Sequence, residues 1–186
     1  MLSRVEKFEA ALAQTECDAV LVTNLKNIYY LTGFSGTEAT VFISKKRRIF
    51  LTDARYTLIA KGVVQGFDIV ETRDAIGEIA KIVADDKLQK IGFDDEISYA
   101  YFKMLESVFA GHELVPMTGF IEKLRMIKDA QEIETIRKAC QISDQAFLDV
   151  LDFIKPGETT ELAVMNFLDA RMRQLGASGA SFDFII

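Results

Sequence analysis

The sequence predicts an α/β protein in which helices flank a mixed β-sheet, followed by two helices and the start of a strand of a second domain. Up to about residue 120, short apolar runs of strand length alternate with amphipathic stretches of helical length. Beyond that point, two long amphipathic stretches follow each other without an intervening strand. We therefore place a domain boundary between residues 117 and 124, and assign residues 1–122 and 123–186 to separate domains.

Polar residues at the ends of the apolar stretches locate the elements of the first domain. Ser3 and Glu6 form a capping box at the start of the first helix. Asn24 can cap the second helix, which Gly33 would end. The basic run from Lys45 to Arg48 lies between two apolar runs and predicts a β-hairpin with a solvated turn. The predicted helices span residues 3–15, 25–31, 54–64, 75–84 and 98–109, and the predicted strands span 19–22, 40–43, 49–52, 67–70, 91–93 and 113–115.

The second domain begins with two amphipathic helices. Asp129 and Glu132 resemble another capping box, and a Lys-Pro-Gly run at residues 155–157 ends the long helix that follows. Thr159 is expected to cap the next helix. Residues 182–186 then read as the start of a strand. Because a strand without a partner and helices with nothing to cover cannot complete a layered core, we expect an incomplete domain.

The composition argues against several partners and locations. The chain has 22 basic and 28 acidic side chains, and the resulting formal charge of −6 repels a phosphate backbone, so we expect no nucleic acid partner. No stretch approaches the roughly 20 apolar residues that span a bilayer, so we expect no membrane contact. Cys17 and Cys140 are far apart in sequence, which is typical of a reduced, cytoplasmic protein.

The residues alone do not assemble a catalytic site. His112 is the only histidine, and no other potential ligands stand at metal-binding spacing from it. Asp94-Asp95-Glu96 follows a predicted strand and precedes a helix cap, so a polar loop explains these carboxylates better than an acid–base pair. The run Gly33 to Gly36 follows a helix, which is the wrong order for a phosphate cradle. It is either a simple turn or a loop that offers its amides and Glu38 to a bound molecule.

Five phrases of the sequence, taken in order, resemble the Xaa-Pro aminopeptidase and prolidase group of the creatinase-like, or pita-bread, metallopeptidases. Each phrase alone is weak, but their order and spacing together cover nearly the whole chain. They are residues 27–36 (NIYYLTGFSG), 50–56 (FLTDARY), 124–139 (beginning LRMIKDAQEI), 155–161 (KPGETTE) and 181–186 (SFDFII).

The resemblance implies a two-domain peptidase that forms a homodimer and acts on proline-containing peptides. In this group a noncatalytic N-terminal α/β domain helps dimerisation and substrate selection. The C-terminal α+β domain holds two divalent ions, commonly manganese, with two Asp, one His and two Glu. None of those ligands matches a position in this chain, so the resemblance assigns no catalytic or metal-binding residue here. The chain by itself is therefore predicted to be inactive.

The resemblance also points to two loops that face the substrate. In relatives, loops of the N-terminal domain reach over the active site of the neighbouring subunit. The residues most like those loops are Gly33, Phe34, Ser35, Gly36, Thr37, Glu38, Asp53, Arg55 and Tyr56. An alternative for Asp53 and Arg55 is that they only pair with each other to fix the start of a helix.

Two other functions are compatible with the same resemblance. Some pita-bread relatives lack metal ligands and bind peptides or proteins, as certain histone chaperones do. Others act on creatine as amidinohydrolases. The Thr-Asp-x-Arg-Tyr phrase favours a peptidase over an amidinohydrolase, whereas a metal-free binding module fits the chain equally well.

Overall fold

The computed structural model describes residues 2–186, which divide into one unit that ends at Ile127 and a second that begins at Lys128. The predicted boundary after residue 122 falls inside a short helix, Phe120–Met126, which the sequence analysis did not predict. This helix belongs to the first unit because Ile121 is buried in that unit's core.

A six-stranded mixed sheet runs through the first unit, in the order β4-β3-β2-β1-β5-β6. The central pairs β1–β2 and β2–β3 are antiparallel, and the second of these is the hairpin predicted around the basic turn. The pairs β3–β4, β1–β5 and β5–β6 are parallel. The strands are β1 Ala19–Val22, β2 Thr40–Ser44, β3 Arg48–Thr52, β4 Asp68–Glu71, β5 Lys90–Phe93 and β6 Glu113–Pro116.

Four of the six helices of the first unit begin at a polar residue whose side chain caps the first turn. Ser3 and Glu6 form a reciprocal capping box. Asn24, Asp74 and Ser98 each accept hydrogen bonds from backbone amides in the first turn of their helices. The helices are α1 Arg4–Leu12, α2 Leu25–Thr32, α3 Thr57–Val63, α4 Ala75–Asp86, α5 Tyr99–Val108 and α6 Phe120–Met126.

Helices cover both faces of the sheet, as expected for an α/β protein. Because successive strand residues point to opposite faces, β1 directs Val20 and Val22 to one core and Ala19 and Leu21 to the other. Helices α1, α2, α3 and α6 contribute buried residues to the first core, and α4 and α5 to the second. The predicted mixed sheet flanked by helices is thus confirmed.

The second unit contains two long helices, α7 Ala130–Phe153 and α8 Glu161–Gln174. The predicted capping box of Asp129 and Glu132 is present at the start of α7. The cap of α8 is Thr160 and not Thr159, because the Thr159 hydroxyl accepts a hydrogen bond from the Lys155 amide across the intervening turn (2.8 Å).

The predicted strand at residues 182–186 is absent from the structure, which has no regular element there. A strand is stabilised by backbone hydrogen bonds to a neighbouring strand, and the described part of the second unit contains none. Within residues 2–186, no helix combines the length and the apolar character needed to cross a bilayer.

Candidate functional site

The two loops that the sequence analysis selected lie side by side in the first unit. The loop Gly33 to Glu38 follows α2, and the turn Asp53 to Tyr56 follows β3. The hydroxyl groups of Thr37 and Tyr56 are hydrogen-bonded at 2.8 Å. This bond lowers the pKa of the Tyr56 phenol. The structure therefore brings together two predicted segments through residues that are 19 apart in sequence.

Two glycines make the loop possible for different reasons. Gly33 ends α2 with φ of 75°, a left-handed conformation that glycine adopts without a steric penalty. Gly36 packs so closely that an added Cβ would lie 2.3 Å from Cζ of Phe34 and 2.9 Å from Cδ1 of Tyr56. A larger residue at position 36 would force these rings apart, so Gly36 is needed for close packing.

Phe34 is the one buried residue among the nine that were predicted to face the substrate. Its side chain is only 1% exposed and lies in the core. The ring makes edge contacts with Phe50 and Tyr56, at centroid distances of 5.0 and 5.6 Å. Burial of this apolar ring is favourable because it removes apolar surface from water. The buried ring packs beneath the loop and supports it through the contacts with Phe50 and Tyr56. The other eight predicted residues are exposed or partly exposed.

Asp53 and Arg55 form the pair that the alternative interpretation described. The Arg55 guanidinium approaches Asp53 Oδ2 to 2.6 Å, and the Arg55 amide donates to Asp53 Oδ1 (2.9 Å). The Asp53 carbonyl accepts from the Thr57 amide in the first turn of α3. The hydrogen bonds from Arg55 lower the pKa of Asp53. Asp53 is therefore ionised at neutral pH, which suits binding better than proton transfer.

A polar cavity of about 420 Å³ opens beside this pair. It lies where the parallel strands β3 and β4 end, an edge of α/β sheets at which ligands often bind. Glu38 and Asp53 supply negative charge to its lining, and Arg55 and Arg73 supply positive charge. The cavity can thus hold charged groups of a ligand by ion pairing. Its lining consists of Glu38, Thr40, Leu51, Thr52, Asp53, Arg55, Thr72, Arg73 and Ala75.

Thr72 and Arg73 were missed by the sequence analysis, although a signal for them was present. They lie two and three residues after the predicted strand at residues 67–70. Had that strand been recognised as parallel to the strand before it, its carboxyl end would have been placed beside Asp53.

The described residues offer no site for a metal ion. Across residues 2–186, no three His, Cys, Asp or Glu side chains are grouped so that they could hold one. The ring Nδ1 of His112 lies 3.3 Å from the Phe109 carbonyl oxygen, and the ring packs edge-on against Phe109. The residues present therefore do not fit a dinuclear metal centre.

Comparison with known proteins places both units in peptidase families. The sequence pattern of the Creatinase/Prolidase N-terminal domain family matches residues 4–127, and that of metallopeptidase family M24 matches residues 134–186. An uncharacterised peptidase of Bacillus subtilis, YqhT, is 37% identical over 98% of this chain and 52% of its own length. The chain thus spans about half the length of the curated relatives it matches.

Solved structures agree with these matches. An Xaa-Pro dipeptidase from Bacillus anthracis has a TM-score of 0.90 and 38% identity, covering 97% of this chain and 51% of that one. An aminopeptidase P (Xaa-Pro aminopeptidase) structure from Streptococcus thermophilus is 57% identical, with a TM-score of 0.65, over 66% of this chain and 96% of that one. By sequence and by fold, this chain belongs to the Creatinase/Prolidase N-terminal domain family, followed by a segment of metallopeptidase family M24.

Proposed function

We propose that the protein to which this chain belongs hydrolyses peptide bonds formed by the nitrogen of proline. The observation that carries the proposal is the 38% identity to an Xaa-Pro dipeptidase along 97% of the chain, with a TM-score of 0.90. The peptide bond before proline is a tertiary amide without an N–H, and a dedicated peptidase pocket fits that feature.

In this proposal the first unit selects the substrate and is not itself catalytic. Glu38, Asp53, Arg55 and Tyr56 support this role because they lie at the surface around or beside one polar cavity. The buried Phe34 ring and the Thr37–Tyr56 hydrogen bond hold the two loops in fixed positions. We further propose that the protein acts as a homodimer, in which the loops of one subunit contribute to the site of the other.

The proposed metal centre has two divalent ions, with manganese as the expected metal. The similarity to metallopeptidase family M24 supports it. Because the described residues do not fit such a site, we assign the ligands to parts of the protein outside this chain and derive no reaction step from the metal here.

A cytoplasmic location is supported by Cys17 and Cys140, both of which are free thiols.

The test is a hydrolysis assay of the whole protein with Ala-Pro, Ala-Pro-Ala and Ala-Ala, after removal of metal and after return of manganese. We expect manganese-dependent cleavage of the prolyl peptides and little cleavage of Ala-Ala. Proline release from Ala-Pro would indicate a dipeptidase, and alanine release from Ala-Pro-Ala an aminopeptidase. The chain of 186 residues alone is expected to be inactive and serves as a control.

Other outcomes would replace the proposal. Peptide binding without hydrolysis at any metal concentration would indicate a binding module. Urea release from creatine would indicate an amidinohydrolase. Either result, with intact protein, would reject the proposed peptidase activity.

The role of the cavity is tested separately in the whole protein. Arg55→Ala should raise KM by about tenfold with a smaller change in kcat, if its charge helps to hold the substrate before the chemical step. Lys81→Ala is the matched control, because Lys81 also forms an exposed ion pair, with Glu78 on α4, away from the cavity. Equal KM values for the two variants would show that Arg55 only stabilises the turn.

A further inference from the structure

A buried carboxylate lies where β1 and β5 end. Asp94 is only 8% exposed, although the sequence analysis placed it in a polar loop. Its Oδ2 accepts hydrogen bonds from the backbone amides of Thr23 (2.6 Å) and Asn24 (2.8 Å), and its Oδ1 accepts from Asn27 Nδ2 (3.1 Å). Asp94 therefore fixes the turn between β1 and α2 and is paired with a side chain of α2.

Asn27 connects this carboxylate to α6. The Asn27 side chain is 1% exposed, and its Nδ2 also donates to Glu122 Oε1 (2.7 Å). Its Oδ1 accepts a hydrogen bond from Arg125 Nη1 (2.9 Å). Glu122 and Arg125 both belong to α6, so one amide group on α2 contacts two side chains of the last helix in the first unit.

The chemistry of the partners fixes the orientation of the Asn27 amide. An ionised carboxylate only accepts hydrogen bonds and a guanidinium only donates them. The NH₂ group must therefore face Asp94 and Glu122, and the oxygen must face Arg125. The amide has two donor hydrogens and one carbonyl oxygen, and the three contacts use both hydrogens and the oxygen.

Other residue types cannot make these three contacts at position 27. An aspartate would place a third carboxylate against Asp94 and Glu122. A leucine has similar size but would remove one hydrogen bond from each of Asp94, Glu122 and Arg125, and the loss is costly at Asp94, which is buried. A glutamine would be one methylene longer in a site with almost no exposed surface.

Asn27 and Arg125 belong to two of the phrases on which the family resemblance rests. Helix α2 also leads directly into the Gly33–Glu38 loop through its cap at Gly33. Helix α6 is the last helix before the segment that matches family M24, residues 134–186. The contacts of Asn27 therefore join the helix that carries the candidate substrate-facing loop to the helix that precedes the M24 segment.

We propose that Asn27 is a positioning residue for the proposed hydrolysis, because it holds α6 against α2 through hydrogen bonds to Asp94, Glu122 and Arg125. This inference rests on the proposed peptidase function for its consequence in catalysis, but not for the contact itself. Apolar packing of Ile121 and of Phe120 against Phe8 also contributes to holding α6. Asn27 adds the directional contacts that apolar packing lacks.

The test compares Asn27→Leu with Asn24→Ala in the whole protein by hydrogen exchange of the α6 amides and by kcat/KM on the prolyl peptide that it cleaves. Asn24→Ala is the matched control, because Asn24 caps the same helix and binds Glu96 but forms no hydrogen bond with α6 in the described part of the chain. In Asn27→Leu we expect α6 amides to exchange at least about tenfold faster and kcat/KM to fall about tenfold. In Asn24→Ala both quantities should stay within about threefold of the wild type.

A second pair of variants keeps the test informative if Asn27→Leu does not fold. Glu122 is partly exposed, and Glu122→Gln retains the acceptor oxygen for Asn27 whereas Glu122→Leu removes it. We expect Glu122→Leu to loosen α6 and lower kcat/KM, and Glu122→Gln to restore both towards the wild type.

Two results would overturn the proposal: unchanged exchange of α6 in Asn27→Leu and Glu122→Leu, or faster exchange with unchanged kcat/KM. If the wild-type protein cleaves no prolyl peptide, the proposed function fails. The exchange measurement then decides by itself whether Asn27 holds α6.

Discussion

The two units differ in how much apolar surface they bury within themselves. The first unit buries large side chains such as Phe8, Phe42 and Phe50 on both faces of its sheet. In the second unit α7 buries only Ala146 and Val150, and α8 buries no residue. Phe147 and Leu162 of the second unit are more than half exposed.

The difference does not come from the helices themselves. Helix α1 of the first unit and α7 of the second both begin with a complete capping box. Capping and local pairing decide where a helix begins, but most of the stability of a helix in a protein comes from packing an apolar face. The comparison therefore shows that similar local signals produce units of very different expected stability.

The largest expected effect is seen when the units are separated. A polypeptide of residues 1–127 should unfold cooperatively in urea with a free energy of about 5–15 kcal/mol, because it contains both cores. A polypeptide of residues 128–186 should show no cooperative transition. Circular dichroism across a urea series would measure both, and tyrosine fluorescence is a second probe for residues 1–127, which contain all five tyrosines.

A shorter polypeptide serves as the control for this comparison. Residues 1–119 lack α6 and with it the buried Ile121 and the edge contact of Phe120 with Phe8 (5.4 Å). It should be less stable than residues 1–127. A cooperative transition in residues 128–186 would contradict the inferred difference between the units. Equal stability of residues 1–119 and residues 1–127 would show that α6 does not belong to the core of the first unit.

A pair of identical substitutions gives the next largest effect. Phe8→Ala removes a ring that is 0% exposed in the first unit and should cost about 3–5 kcal/mol of unfolding free energy. Phe147→Ala removes a ring that is 60% exposed in the second unit and should change it by less than about 0.5 kcal/mol. Urea unfolding of the chain would measure both, and a large effect of Phe147→Ala would show that the second unit has a core of its own.

The smallest expected effect is a difference in carboxyl titration. Burial, with the nearby Glu122 charge opposing its hydrogen bonds, raises the pKa of Asp94 in the first unit. The hydrogen bond from Arg171 lowers the pKa of Asp149 in the second unit. Titration of the side-chain carboxyl carbons by NMR should therefore place Asp94 above the ordinary aspartate value of about 3.9 and Asp149 below it.

The two carboxyls should also affect stability with opposite signs. The contribution of Asp94 is present below about pH 3.9, its unfolded pKa, and is lost as pH rises through its raised folded pKa. The contribution of Asp149 is present above about pH 3.9 and is lost as pH falls through its lowered folded pKa. The matched variants Asp94→Asn and Asp149→Asn remove each dependence. If both carboxyls titrated at the same pH, the inferred difference in environment would be wrong.

Much of the fold could be predicted from the sequence because its signals are local. The Ser3–Glu6 box, the cap at Asn24 and the stop at Gly33 all lie where the sequence placed them. Helix α6 was missed because it is only seven residues long and begins at a glycine without a side-chain cap. The strand at residues 182–186 was predicted wrongly because alternation of apolar residues cannot supply a partner strand.

The candidate site was predicted in part. The Asp53–Arg55 pair lies within one turn of the chain, so sequence spacing was sufficient to suggest it. Phe34 was selected together with its loop because the loop resembles those of the family, whereas packing buries its ring. Arg73 was missed because its position beside Asp53 depends on the parallel pairing of β3 and β4.

The sequence by itself determined where most helices and strands begin and end, and which family the chain resembles, since caps, turns and short phrases act over a few residues. Only the tertiary structure decided that Asp94, Asn27, Glu122 and Arg125 meet in one hydrogen-bonded group. Asn27 is 67 residues from Asp94 and 95 from Glu122, and no local pattern records such contacts. They follow from strand order and helix packing, which place distant segments of the chain next to one another.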